Sequence, residues 1–286
     1  MKYAFLQEHL TAYPVKVCCR VLGVSRAGYY AWRDRPVSPR ARRREELTGK
    51  IRRVHEENRR VYGSPRVHRV LQAQGEQVCE NTVARVMQTQ QIRAQSKQKF
   101  VPRTTDSDHD QPVAPNLLDR QFAAAAPNQK WVVDLTYIPT DEGWLYLAGV
   151  LDLASRRLVG WAMAEHMQTD LVMAALRMAL LHRRPPAGLL HHSDRGVQYA
   201  SADYVHLLRT HQMEVSMSGQ GDCWDNAAME SFWATLKTEL VYREHYATRA
   251  QAQQSIFEYI EVFYNRQRLH SALGYLSPAA FEARQN

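Results

Sequence analysis

From Lys130 onward the chain alternates strand-like and helix-like segments, and the order of that alternation leaves few folds open. Residues 131–140, WVVDLTYIPT, are rich in β-branched and aromatic side chains and read as a strand. Asp141-Glu142-Gly143 supplies a turn; WLYLAGVLDL (144–153) and RRLVGWAM (156–163) complete an antiparallel meander. Thr169–His182 repeats apolar residues at helical spacing, and GLLHHS (188–193) is a short buried strand. Ala202–His211 is a further helix, MEVSMS (213–218) a fifth strand, and helices follow before residue 240 and over 248–265. A meander followed by two crossover strands predicts an α/β mixed five-stranded sheet flanked by helices.

The first hundred residues follow different rules. VKVCCRVLGVSRAGYYAWR (15–33) places apolar residues on one helical face, breaks at Gly23 and restarts with Ser25 as an N-cap. Two short helices around a tight glycine turn form a helix-turn-helix pattern. A long charged helix over Arg42–Asn58 follows. A second helix pair comes next, with Ser64 as N-cap and Pro65 at the first helical position, a stop near Gly75, and Asn81 capping a helix that contains Val83, Val86 and Met87. Residues 1–104 hold 22 Lys and Arg against 8 Asp and Glu, whereas residues 105–286 hold 15 against 21. A polycationic third joined to an acidic remainder points to nucleic acid, through release of condensed counterions. Residues 102–129, with four prolines and an acidic cluster, read as a linker. The expected organisation is a helical DNA-binding region over 1–100, a linker over 101–129, a catalytic core over 130–245 and a helical extension over 246–286.

No stretch approaches the roughly 18 uninterrupted apolar residues of a membrane span. The N-terminal segment lacks the apolar core and cleavage site of a signal peptide. Cys18, Cys19, Cys79 and Cys223 form no C-x-x-C pair, so neither a disulfide framework nor a zinc ribbon is expected, and reduced thiols in a cytoplasm are the default.

Three carboxylates stand out. Asp134 lies in the middle of a strand, where an acid is costly unless paired, protonated or bound to metal; an ion-paired structural Asp is the alternative. Asp194 ends the short strand 188–193, a place where sites gather in open α/β sheets, although a turn Asp before Gly196 has the same appearance. Glu230 lies too far inside its helix to cap it, on the border of the stripe formed by Met229, Trp233, Leu236 and Leu240. Asp225 reads as that helix's cap and Asp222 as a loop residue. Acids on a central strand, a neighbouring strand end and a helix border suit an oxygen-ligand site for Mg²⁺ or Mn²⁺, and two such ions serve phosphodiester chemistry. His191 and His192 face opposite sides of their strand; a buried, hydrogen-bonded role is expected, with His192 the nearer candidate for the site.

The 35 residues between Asp194 and Glu230 complete a pattern that resembles the DDE motif of transposases and retroviral integrases. HHSDRGVQY (191–199), DCWDNAAMESFWATLKTEL (222–240), YNRQRLHSALGYLSP (264–278) and YGSPRVHRVL (62–71) are similar to transposases of insertion-sequence family 3, specifically the second-frame, ORF B-type product. Lys237, seven residues after Glu230, matches the family's basic residue and returns to the same helical face. The resemblance implies a ribonuclease H-like core, preceded by the all-α helix-turn-helix region. It implies Asp134, Asp194 and Glu230 as metal ligands for two Mg²⁺ (or Mn²⁺) ions, with Lys237 touching a terminal phosphate. It further implies cleavage at element ends, strand transfer by the freed 3′-OH, and no covalent protein–DNA intermediate. The implied partners are double-stranded DNA (element ends and target), further copies of the chain on that DNA, and a first-frame (ORF A-type) protein, often fused by frameshifting. Two departures are visible: Gly219-Gln220 stand where many relatives carry two basic residues, and no integrase-type His/Cys zinc set is present. Arg266, Arg268 and His270 are offered for DNA or core contact. The alternatives are a DNA-binding regulator without catalysis and a nuclease that cuts without joining.

Overall fold

The computed structural model describes residues 1–9, 13–94, 113–219 and 223–285, which form two compact units, Met1–Arg53 and Val54–Asn286. In the first unit, α1 (Lys2–His9), α2 (Val15–Leu22) and α3 (Arg26–Arg33) enclose Leu6, Cys19 and Tyr29. The turn between α2 and α3 is built as the sequence predicts. Gly23 takes a left-handed φ of 63°, which glycine adopts without a Cβ clash. Ser25 Oγ then accepts the Gly28 N–H at 3.0 Å. Helix α4 (Pro39–Glu57) spans the boundary between the units.

The second unit begins with α5 (Ser64–Ala73) and α6 (Glu80–Thr89). Their N-caps are Gly63 and Cys79 rather than Ser64 and Asn81, so each helix starts a residue or more early. Their basic, helical pattern groups these helices with the N-terminal region. Here, however, Tyr62 is fully buried, and its hydroxyl donates to the Gln267 carbonyl at 3.3 Å and accepts the Leu269 N–H at 2.8 Å. That anchor ties the entry to α5 to the C-terminal segment.

Strands β1 (Lys130–Thr140), β2 (Gly143–Asp152) and β3 (Leu158–Ala164) make the meander, and α7 (Thr169–Arg183) crosses to β4 (Leu190–Ser193). A single helical turn, α8 (Val197–Ala200), absent from the sequence expectation, precedes α9 (Ala202–Thr210) and β5 (Glu214–Met217). The sheet order is β3-β2-β1-β4-β5, with β1–β2 and β2–β3 antiparallel and β1–β4 and β4–β5 parallel. This is the expected mixed five-stranded, ribonuclease H-like arrangement, and it makes β1 central. After the 3₁₀ turn Cys223–Asn226 come α10 (Ala227–Glu239), α11 (Arg249–Glu258), which continues as a π-helical turn through Tyr264, and α12 (Pro278–Glu282).

Alternation along β1 sorts its side chains between two helical layers. Val133 and Leu135 join Val150, Leu171, Leu176 and Ala179 in the core under α7. Asp134 and its cross-strand partner Gly149 face α10 instead. Two glycines permit these layers to close. A Cβ at Gly160 would stand 2.3 Å from the Ala175 carbonyl oxygen and 2.7 Å from the Ala179 nitrogen of α7. A Cβ at Gly149 would stand 2.6 Å from Met229 Cε and 2.9 Å from Trp233 Cη2 of α10.

Around this core, buried ion pairs hold the C-terminal elements. Glu239 accepts Arg268 Nε at 2.8 Å, Arg268 Nη2 at 2.6 Å and the Tyr259 hydroxyl at 2.8 Å. Glu282 accepts from Arg183 and Arg157, and burial of its carboxyl is outweighed by those guanidiniums, so its pKa is lowered. Asn265 bonds both the N–H and the carbonyl of Leu158 at 3.0 Å, closing the edge of β3 with its amide.

Because backbone atoms of α7 cannot yield, Gly160→Ala is expected to lower stability by about 1–3 kcal/mol. The midpoint of urea unfolding reads the loss, and an unchanged midpoint would show that α7 can lift off the sheet without penalty.

Candidate active site

Asp134 is the hub of the site. Burial raises its carboxyl well above the usual carboxylate range, nearby Asp194 raises it further, and Glu230 adds a smaller push in the same direction. The Leu135 N–H and the Trp233 indole oppose that shift. The indole Nε1–H donates to Asp134 Oδ2 at 3.0 Å. The comparison within the same sheet is instructive. Asp152, fully buried where Asp134 is half-buried, has two oxygens that accept from the Asn128 and Ser155 backbone N–H groups, the Ser155 hydroxyl and the Trp131 indole. Asp152 is a structural acid with its donors supplied; Asp134 faces two other carboxylates.

Asp194 follows β4 directly, and its Oδ1 accepts the Gly196 N–H at 2.9 Å, which orients the carboxylate at the turn into α8. Glu230 lies on α10 and is exposed, with burial raising its pKa. Lys237 is only 5% exposed; its Nζ sits 4.8 Å from the centroid of the Tyr137 ring. Burial lowers the Lys237 pKa, and Asp134 acts in the opposite direction. Thus the four residues singled out from the sequence act on one another through Asp134. Among the described residues, no three His, Cys, Asp or Glu side chains stand close enough together to be read as a metal cluster.

The start of α10 is set by contacts that sequence analysis assigned differently. Asp225 is not the cap. It is buried in the preceding 3₁₀ turn, where it accepts the Gly219 N–H at 2.9 Å, Asn116 Nδ2 at 2.8 Å and Arg120 Nε at 3.1 Å. Burial would raise its pKa, but these donors outweigh it and lower the value. The N-cap position is Asn226, whose Nδ2 donates to the Val133 carbonyl of β1 at 3.0 Å. Asp222 and Gln220 lie outside the described residues.

The histidines do not join the carboxylates. His191 Nε2 pairs with the Tyr204 hydroxyl at 3.0 Å, and His192 is held by Ser216 Oγ at 2.8 Å and Ser218 Oγ at 3.2 Å. Burial lowers their pKa values to about 3 and about 4. Arg268, offered from the sequence for DNA or core contact, is spent on Glu239. Tyr199, by contrast, was missed. Its hydroxyl is buried without a hydrogen-bond partner among the described residues, and Asp134 and Asp194 both raise its pKa beyond the effect of burial. Tyr199 itself packs in the core under α7, so Asp134 and Asp194 act on its hydroxyl through their charge.

Comparison with known proteins assigns this geometry to a family. The integrase core domain family matches residues 124–223 and, in a second form, residues 211–278; an HTH-like domain matches residues 42–100. The "Insertion element IS600 uncharacterized 31 kDa protein" of Shigella sonnei is 49% identical over 92% of this chain and 96% of its own. "Transposase InsF for insertion sequence IS3A" of Escherichia coli (strain K12) is 43% identical over 99% of this chain and 98% of its own.

The chain belongs to the insertion-sequence-3 family of transposases.

It is therefore a DDE-type polynucleotidyl transferase that acts on DNA. Among solved structures, the HTLV-2 integrase catalytic core domain in complex with magnesium aligns at a TM-score of 0.43 and 13% identity, over 56% of this chain and 99% of that one. A chain of the simian T-cell lymphotropic virus intasome aligns at 0.47 and 13%, over 81% and 74%. Among the described residues of this transposase, no helix is long and apolar enough to cross a membrane.

A raised folded-state pKa means that protonation of Asp134 favours folding. Its penalty therefore grows as pH rises through the ordinary carboxylate range toward the higher folded value. Asp134→Asn mimics the protonated form. In chelator-treated protein at neutral pH it is expected to raise Tm by a few degrees, and the advantage should shrink as pH falls below the ordinary carboxylate range. A lower Tm would show that the carboxylate is compensated in the folded chain.

Proposed function

We propose that Asp134, Asp194 and Glu230 are the metal-holding carboxylates of this transposase, and that Lys237 contacts the DNA phosphate next to the reacting bond. The observation that carries this reading is Asp134 itself, an acid on a central strand whose carboxyl is raised by burial and by Asp194 and Glu230 and is held by the Trp233 indole. Hard carboxylate oxygens without a soft His or Cys ligand beside them, among the described residues, fit Mg²⁺ or Mn²⁺. Two such ions, when bound, activate the attacking oxygen and neutralise the leaving one.

The protein's own contribution is positioning. Trp233 fixes Asp134 Oδ2, and the Gly196 N–H fixes one oxygen of Asp194. Lys237 keeps its cation beside the carboxylates on the Tyr137 ring face, where water is largely excluded and a phosphate gains most from a charge. Glu230, exposed on the adjoining helix, can complete the set when DNA and metal arrive. We infer cleavage at the element's ends by water, followed by attack of the freed 3′-OH on target DNA. The acting species would be several copies on bacterial DNA in the cytoplasm, with a first-frame protein as partner or fused segment.

Strand transfer measured with element-end duplexes, Mg²⁺ and purified chain is expected to fall at least a thousandfold in Asp134→Ala, a scale reached when groups that stabilise phosphoryl-transfer charge are removed. Joined products from wild type alone support the reading; cleavage without joining points to a nuclease. Equal joining by Asp134→Ala would remove the acid from the site. Trp233→Phe keeps the ring but loses the donor, and about a tenfold loss of the cleavage rate is expected, with a higher Mg²⁺ requirement in the titration. Wild-type behaviour there would reduce Trp233 to packing.

A further inference from the structure

Helix α10 has a second functional side. Seen along its axis, Ser231 and Thr235 lie about 100–160° from Glu230 and Lys237. They line a cleft of about 640 Å³ that is also bounded by Arg66 of α5, Arg156 and the C-terminal residues Arg268 and His270. None of these groups belongs to the carboxylate centre.

The charges in this cleft do not balance. Among its described lining residues the one carboxylate is Glu239, and Glu239 is already committed to Arg268 and Tyr259. Arg66 and Arg156 have no hydrogen-bond or ion-pair acceptor among the described residues. Arg66 lies over the Tyr62 ring, 5.6 Å from its centroid. Burial, and then the Arg268 cation, lower its pKa. His270 is similarly surrounded. Burial, Arg268, Arg66 and Arg156 together hold its pKa down to about 2, so the ring stays neutral. Arg268 Nη1 donates to His270 Nε2 at 3.4 Å, which places the ring proton on Nδ1 as a further donor.

Two unanswered guanidiniums and a neutral N–H donor around one cleft form a receptor for an oxyanion, since forked N–H groups match phosphate oxygens in geometry and charge. We propose that this cleft is a second phosphate site, in which Arg66, Arg156 and His270 Nδ1–H grip phosphodiester oxygens of the DNA backbone, away from the reacting bond. The DNA source rests on the transposase reading above. A cleft of this volume takes backbone and sugar, not a duplex, so it reads no base sequence. It anchors a strand on one side of α10 while the carboxylates stand on the other.

The test uses the full chain and a fluorescently labelled random-sequence duplex, with anisotropy followed across a salt series. The double variant Arg66→Gln/Arg156→Gln is expected to bind about tenfold or more weakly, from loss of charge-assisted contacts. Its plot of log affinity against log salt should be shallower by about 2, one released counterion for each lost contact. The variant Arg66→Lys/Arg156→Lys should restore most of the slope, and circular-dichroism melts establish that both variants fold. Unchanged affinity and slope in the Gln variant, while wild type binds, overturn the site alone. A wild type that binds no duplex overturns both the site and the transposase reading. Inorganic phosphate, titrated in a melting assay, separates the sources. If it stabilises wild type but not the Gln variant while DNA binding is equal in both, the cleft takes free anions and the DNA-backbone assignment fails.

Discussion

The reaction centre depends on one junction, the seating of α10 against β1. Three contacts define it. Asn226 reaches the Val133 carbonyl, Trp233 two helical turns later reaches Asp134, and Gly149 leaves the room that Met229 and Trp233 require. A strand residue and a helix residue far apart in sequence thereby share one frame, and Glu230 and Lys237 are carried to Asp134 by the helix they stand on. If α10 moved by the width of one methyl group, the indole could no longer reach the carboxylate. Precision here comes from packing, because close-packed interiors transmit displacement rather than absorb it.

Asp134 itself illustrates why such a centre is an unfavourable thing to fold. Burial and a neighbouring carboxylate cost Asp134 more than the Trp233 indole and the Leu135 N–H return, until a cation or a proton joins it. Stability is recovered elsewhere. Asp152 in the next strand, Glu239 under the C-terminal segment and Glu282 in the last helix are all acids whose partners the chain supplies in full. The contrast separates acids that hold the fold from acids that the fold holds, and it is made by counting donors.

Much of this was legible before any coordinates. The meander and the crossovers were visible because β-branched runs and helical apolar spacing are local signals. Asp134 was visible because an acid in such a run contradicts its surroundings. The errors were also local. Asp225 looked like a cap because acids near helix starts usually are, but its three donors come from Asn116, Arg120 and Gly219, two of them more than a hundred positions away. His192 shared a strand face with Asp194, yet the neighbouring strand and its exit supply hydroxyls that occupy both ring nitrogens. Tyr199 and Trp233 carried no signal of their own, since an aromatic residue on a helix reads as core.

By itself, then, the sequence determined the element order, the basic N-terminal third, the three acids and the lysine with their spacing, and through its motifs the family. Those properties are carried by near neighbours along the chain and by residue type. The tertiary structure alone decided which acids the chain supplies with donors, and that, among the described residues, Tyr199 has no hydrogen-bond partner and Arg268 is neutralised while Arg66 and Arg156 are not. Each of those outcomes is a balance of desolvation against donors and charges brought from distant segments, and such a balance exists only once the chain has closed on itself.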